Sequence, residues 1–196
     1  MNIVLLGPPG AGKGTQSAKC LRKYQLTAIA SGDLLREHIK QETELGEQAA
    51  SYINEGQLAP PELVVALIEE QLQAKKSSRG FLFDGFPRTI AQAALLEEKL
   101  LAHRKKLDGV IFLEVPEQEI KQRIKERAKS SGRADDQGEA KVATRMQVYY
   151  HETLPLVKYY EEQGKLFRVN GVGDIETIFR RMVAVMDRLQ SGLSIA

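Results

Sequence analysis

Two short stretches of this chain carry residue types at a spacing that chemistry can use. The first is Gly7-Pro8-Pro9-Gly10-Ala11-Gly12-Lys13-Gly14-Thr15, which follows directly on the apolar run Met1–Leu6. Glycines there let backbone N–H groups close around an anion without Cβ clashes. A helix starting at the lysine adds a positive dipole end, and Lys13 can reach outer phosphates. The Gly7-x-x-x-x-Gly12-Lys13 spacing is that of a P-loop, a cradle for a nucleoside triphosphate. Gly14 stands where a Ser or Thr hydroxyl ordinarily meets magnesium, and Thr15 comes one place later, so the metal is expected to be held differently here. The second stretch, Phe81-Leu82-Phe83-Asp84, is an apolar strand ending in a carboxylate. Such an acid either holds Mg²⁺ through water or caps the turn after the strand.

A third pattern is a set of arginines, Arg36, Arg88, Arg123, Arg127, Arg133 and Arg145. A guanidinium stays charged and matches phosphate oxygens bidentately. For any one of these taken singly, a solvated surface role is the more ordinary reading. Arg88 stands apart because Asp84-Gly85-Phe86-Pro87 forms a rigid turn that fixes its direction. Arg123 and Arg127, four apart, share one helix face. With 28 Lys and Arg against 26 Asp and Glu, the net charge is +2, so no general affinity for nucleic acid or acidic membranes is expected and a cationic site must be local. The single cysteine, Cys20, gives no intramolecular disulfide and no cysteine-based zinc site. No stretch approaches the roughly 20 apolar residues of a membrane span. Nothing at the N-terminus reads as a signal peptide, so a reduced cytoplasm is the expected location.

These groups must be positioned by the elements between them. Apolar runs at 2–6, 26–30, 81–83, 110–115 and 166–169 read as buried strands. Segments 13–24, 61–75, 90–103, 117–128, 139–163 and 174–190 carry helical spacing. Strands apolar on both faces and alternating with helices argue for an α/β fold with a parallel sheet covered on two sides, in one core over 1–196. Ligands of such folds sit at the carboxyl ends of the strands. Residues 31–60 read as two polar helical stretches broken at Gly46 and Gly56. Residues 129–138 form a polar, glycine-punctuated run. Both look like insertions over the sheet edge and candidates for moving covers.

The run Asp84-Gly85-Phe86-Pro87-Arg88-Thr89, with Gly7–Thr15, Ser31-Gly32-Asp33-Leu34-Leu35-Arg36 and Gly132-Arg133-Ala134-Asp135-Asp136, resembles the adenylate kinase family. The four motifs stand in family order, and the resemblance runs from Met1 to about Leu189. It implies a P-loop NTPase-type five-stranded parallel sheet with helices on both faces, a monophosphate-binding insertion over 30–59 and a short lid over 127–138. It implies that Gly10, Ala11, Gly12, Lys13, Gly14 and Thr15 cradle ATP phosphates and that Gly173 contacts the ATP adenine. Ser31, Arg36, Gln57, Leu58, Ala59 and Gln92 would meet AMP, with Gly85, Phe86, Pro87 and Arg88 holding its phosphate. Arg123 and Arg127 would contact ATP and the moving phosphoryl group, Arg133 and Arg145 would bridge to AMP, and Asp135 and Asp136 would anchor the arginines or the closed cover. The lid lacks the length and the cysteines of the zinc-bearing long form. Gln137 replaces the Asn usual after the Asp pair, and Ser31 replaces the commoner Thr.

Reversible transfer from MgATP to AMP, giving two ADP and serving purine nucleotide homeostasis, is the implied activity. Mg²⁺ would sit near Asp84, zinc would play no part, and the protein would be a monomer without nucleic-acid or membrane partners. Two rival readings are a regulatory ATP-binding switch and a nucleic-acid-binding P-loop protein. The first would need neither six arginines nor an acceptor pocket. The second is disfavoured by the charge balance.

Overall fold

Strands β1 (Ile3–Leu6), β2 (Thr27–Ala30), β3 (Phe81–Asp84), β4 (Gly109–Glu114) and β5 (Leu166–Asn170) form one sheet in the order β2-β3-β1-β4-β5. The computed structural model describes residues 1–129 and 134–191. Every strand pair is parallel, with Val4 opposite both Phe83 and Val110. The sequence reading of an α/β parallel sheet is what the chain adopts.

Side chains alternate across the sheet, and each face has its own cover. Val4, Leu6, Phe81, Phe83, Val110 and Phe112 pack with Leu67, Ile68 and Leu72 of α4 (Pro61–Ala74) and Leu96 and Leu100 of α5 (Ile90–Ala102). Leu156 and Tyr160 of α8 (Pro155–Glu162) complete that layer. Ile3, Leu5, Leu82, Ile111 and Leu113 face the other way, onto Cys20 of α1 (Lys13–Tyr24) and Ile178, Met182 and Met186 of α9 (Ile175–Ser191). Burial on both faces explains why the strands read as continuous apolar runs. Of the remaining helices, α6 (Glu117–Ala128) and α7 (Glu139–Val148) share a small core of Ile120, Ile124, Met146 and Tyr149. Because β1 lies between β3 and β4, the loops leaving β1 and β3 open side by side, which is where ligands of such sheets bind.

Two expectations need correction. Residues 31–60 do fold as two helices, α2 (Ser31–Lys40) and α3 (Glu44–Asn54), but Gly46 lies inside α3 rather than breaking it. Thr43 caps α3, its Oγ1 accepting from Gly46 N at 3.1 Å. A Cβ at Gly46 would stand 2.2 Å from the His38 carbonyl oxygen, so this glycine serves the close approach of the two helices. Gly56, with φ 76°, does end that stretch. The span 139–163 is also not one α-helix. Pro155 has no N–H to bond four residues back, and the chain widens ahead of it into a π turn over Tyr149–Thr153, with Leu154 N donating to Tyr149 O at 2.8 Å.

Candidate active site

One end of the site is built around the loop between β1 and α1. Gly10 has φ 83°, and a Cβ there would lie 2.9 Å from Ile124 Cγ1 and 3.1 Å from Ile120 O. The loop therefore rests against α6, at a contact only glycine permits. Lys13 Nζ folds over the loop and donates to Gly7 O at 2.7 Å and Pro8 O at 3.0 Å. Burial pushes its ammonium down to about 8; Asp84 opposes the fall, while Arg88, Arg145 and Arg127 add to it. These charges therefore share one electrostatic neighbourhood. A Cβ on Gly14 would stand 4.0 Å from Asp84 Oδ2, so the helix start faces the carboxylate at the end of β3. No acidic residue lies in the first turn of α1, which leaves its dipole end for an anion.

Arg123 braces this end from α6. It donates from Nη1 to Ala11 O at 3.3 Å, from Nη2 to Gly171 O at 3.0 Å and from Nε to Glu119 Oε1 at 2.9 Å. It thus ties the Gly7–Thr15 loop to the segment carrying Gly173.

The other end is the turn after β3. Gly85 has φ 76°, and its carbonyl accepts from Ser31 Oγ at 2.7 Å and Arg88 Nε at 2.8 Å. Arg88 N donates to Gln92 Oε1 at 2.8 Å, and Thr89 caps α5 by accepting from Gln92 N at 3.2 Å. Burial lowers Arg88 to about 10, helped by Arg145 and opposed by Asp84; it stays charged at neutral pH. Arg36 pairs with Asp33 at 2.5 Å.

Between the two ends, α6 and α7 each supply an arginine. Arg127 donates from Nε and Nη2 to the two Asp136 oxygens, both at 2.7 Å. Arg145 Nη1 lies 2.7 Å from Asp136 Oδ1 and 2.6 Å from Asp135 Oδ2. The Asp136 side chain is fully buried, so a carboxylate pins both arginines at the mouth of the cleft. Arg133 lies outside the described residues.

All of this surrounds one cleft of about 860 Å³, large enough for extended ligands. Residues 5–165 match the family model described as Adenylate kinase. The proteins named "Adenylate kinase" from Flavobacterium psychrophilum and Bacteroides fragilis are each 44% identical over 189 residues, covering 96% of this chain and all of theirs. The chain belongs to the adenylate kinase family. The "Adenylate kinase" of Syntrophobacter fumaroxidans is 39% identical over 212 aligned positions, covering 95% of this chain and all of its own length. That alignment is longer than this chain, so that relative carries residues this one lacks.

Members of the family are phosphotransferases, and most of the residues expected to serve that chemistry line the cleft. Of the residues expected to meet ATP these include Gly10–Thr15, Arg123, Arg127 and Gly173; of those expected to meet AMP, Arg36, Leu58, Gly85, Pro87, Arg88 and Arg145. Ala59 and Phe86 instead pack into the core. Gln57 lines a neighbouring groove with Leu58. Ser31 and Gln92 are buried at 2% exposure and hold the Gly85–Arg88 turn from behind. The Oε1 of Gln92 is thereby taken up by the Arg88 amide. Tyr149 and Thr153 line the cleft as well, and sequence reading missed both. Thr153 Oγ1 donates to Arg88 O at 2.9 Å.

Among the described residues no cluster of three His, Cys, Asp or Glu forms a metal cage. The Asp84 carboxylate, facing the start of α1, fits a hard oxygen-seeking cation that keeps its waters, such as Mg²⁺. Among the described residues no helix is long and apolar enough to cross a membrane.

Proposed function

We propose that this cleft holds MgATP on the Gly7–Thr15 loop and AMP against the Gly85–Arg88 turn, and transfers the terminal phosphoryl group reversibly to give two ADP. The observation that carries the reading is that Lys13, Arg88, Arg127 and Arg145 all line one cleft. Each of the three arginines lowers the Lys13 pKa. Cations held this close favour a ligand with several negative charges, and the family supplies the adenine nucleotides.

The acceptor is itself a phosphate, mostly ionised at neutral pH because its second pKa is about 6. It needs no general base. Catalysis then consists of aligning two polyanions and screening their repulsion, with Lys13 and the arginines acting on charge spread over the moving group. Asp84 would hold Mg²⁺ through water, and the metal would supply positive charge against the phosphates. Arg127 and Arg145 would exchange part of their hold on Asp135 and Asp136 for phosphate oxygens, and Arg133 would join them. Residues 30–59 and 127–138 would close over the bound pair and exclude water, protecting ATP from hydrolysis. Adenine contacts are assigned to Gly173 on the donor side and to Gln57, Leu58, Ala59 and Gln92 on the acceptor side. We assign it action as a monomer. We assign the activity to the cytoplasm, with no nucleic-acid or membrane partner.

The test is turnover of purified protein with MgATP and a panel of AMP, GMP, CMP and UMP. AMP is expected to be the preferred acceptor. A faster rate with UMP or CMP would overturn the acceptor assignment, and ATP hydrolysis indifferent to any monophosphate would overturn the transfer reaction.

A further inference from the structure

The π turn at Tyr149–Thr153 sits between two residues that both face the cleft. Arg145 lines it from α7, Thr153 lines it from the end of the turn, and Tyr149 lines it between them. In an unbroken α-helix, residues eight apart would point about 80° away from each other, at roughly 100° per residue. One extra residue taken up by a wide turn removes about one step and brings them to within about 20°. The bond from Leu154 N to Tyr149 O spans five residues, as that wide turn requires. Arg145 and Thr153 therefore share a face because the helix widens ahead of Pro155.

Thr153 is buried, and its hydroxyl donates to the Arg88 carbonyl at 2.9 Å. The Arg88 amide on the other side donates to Gln92 Oε1 at 2.8 Å. The Arg88 backbone is thus gripped at both its N–H and its C=O. Its guanidinium is fixed in turn by the Gly85 carbonyl, which Ser31 also holds. Gln92 and Ser31 come from the acceptor side of the fold. Thr153 comes from the helix that presents Arg145.

We propose that Thr153 is a positioning residue that fixes Arg88 relative to Arg145, the π turn setting the phase between them. It makes the seat for the acceptor phosphate a joint product of the β3 turn and the α7 to α8 helix. The inference rests on the reading of the Arg88 turn as the AMP phosphate seat.

The experiment compares Thr153→Val, Thr153→Ser and Thr153→Val in an Arg88→Ala background with the wild-type protein. Thr153→Val keeps shape but removes the donor, and kcat/KM for AMP is expected to fall about tenfold. KM for ATP should stay within twofold. Competitive inhibition by adenosine, which lacks the phosphate, should be unchanged. Thr153→Ser should restore AMP turnover to within twofold of wild type. In the Arg88→Ala background, at high enzyme concentration, Thr153→Val should cause no further loss, because its effect passes through the Arg88 side chain. If the valine variant fails to fold, Thr153→Ala is expected to give the same AMP-confined loss. Wild-type values in Thr153→Val, a serine variant as impaired as the valine one, or a full tenfold loss on top of Arg88→Ala would each overturn the proposal. Absence of AMP turnover in the wild-type protein would overturn the functional reading and this one with it. An active wild type with an unaffected valine variant would overturn this one alone.

Discussion

Asp136→Asn separates the anchoring of the arginines from their chemistry. The Asp136 carboxylate is fully buried and accepts from Arg127 Nε and Nη2 and from Arg145 Nη1, all at 2.7 Å. Asparagine keeps the shape but offers one oxygen, and its NH₂ would face a guanidinium N–H. Each hydrogen bond to a charged group contributes about 1.5–3 kcal/mol, and removing one partner of a buried pair costs about 3–5 kcal/mol. Asp135 still holds Arg145 at 2.6 Å, so the loss belongs at the lower end, about 3 kcal/mol. For a chain of this size each kcal/mol moves the melting temperature by about 2–4 °C, giving a fall of about 6–12 °C. Thermal unfolding followed by circular dichroism reads this directly. A melting temperature within 2 °C of the wild type would refute the view that Asp136 carries the two arginines. Nucleotide should stabilise the variant by more than it stabilises the wild type, because phosphates then supply the missing negative charge. An equal or smaller gain would refute that exchange.

Two further outcomes follow from the same charges. Arg88→Ala should lower kcat/KM for AMP by at least about a hundredfold, the scale of losing one preorganised charge donor, while circular dichroism stays native; near-normal turnover would refute its role. Burial depresses Lys13 to about 8, and the phosphates need its charged form, so KM for ATP should be flat below pH 8 and rise by up to about tenfold per unit above it. The unfolded chain binds the proton more tightly between pH 8 and the ordinary lysine value of 10.5, so this group makes folding more favourable as pH rises through that window. A flat KM for ATP up to pH 9.5 would count against the assignment.

The strands and most helix ends were legible because each signal was local. Residues 81–83 are apolar on both faces and stop at Asp84, and Pro61 marks the start of α4. What escaped depended on contacts distant in sequence. Gly46 looks like a breaker, yet it sits within a helix because the His38 carbonyl leaves no room for a Cβ. The spacing of Arg123 and Arg127 places them on one face but cannot tell that Arg123 is bound to the Ala11 and Gly171 carbonyls while Arg127 is bound to Asp136. Gln92 read as a base contact, and its position behind the Arg88 amide could not be foreseen from spacing. Thr153 had no motif at all. Its alignment with Arg145 comes from a change of helical pitch, of which Pro155 was the only local sign.

The contact between Gly10 and α6 has a mechanical consequence. Ile120 and Ile124 meet the Gly7–Thr15 loop from the first half and the middle of that helix, and Arg127 stands in its last turn, next to the 127–138 segment. A rigid rod braced at both places acts as a lever. Displacement at its far end cannot be absorbed at Gly10, where a side chain from α6 already fills the space a Cβ would need. Were the Gly7–Thr15 loop to grip the donor phosphates and 127–138 to close over them, as proposed, grip and closure would be one motion, and a slack residue placed midway along α6 would uncouple them without touching either nucleotide.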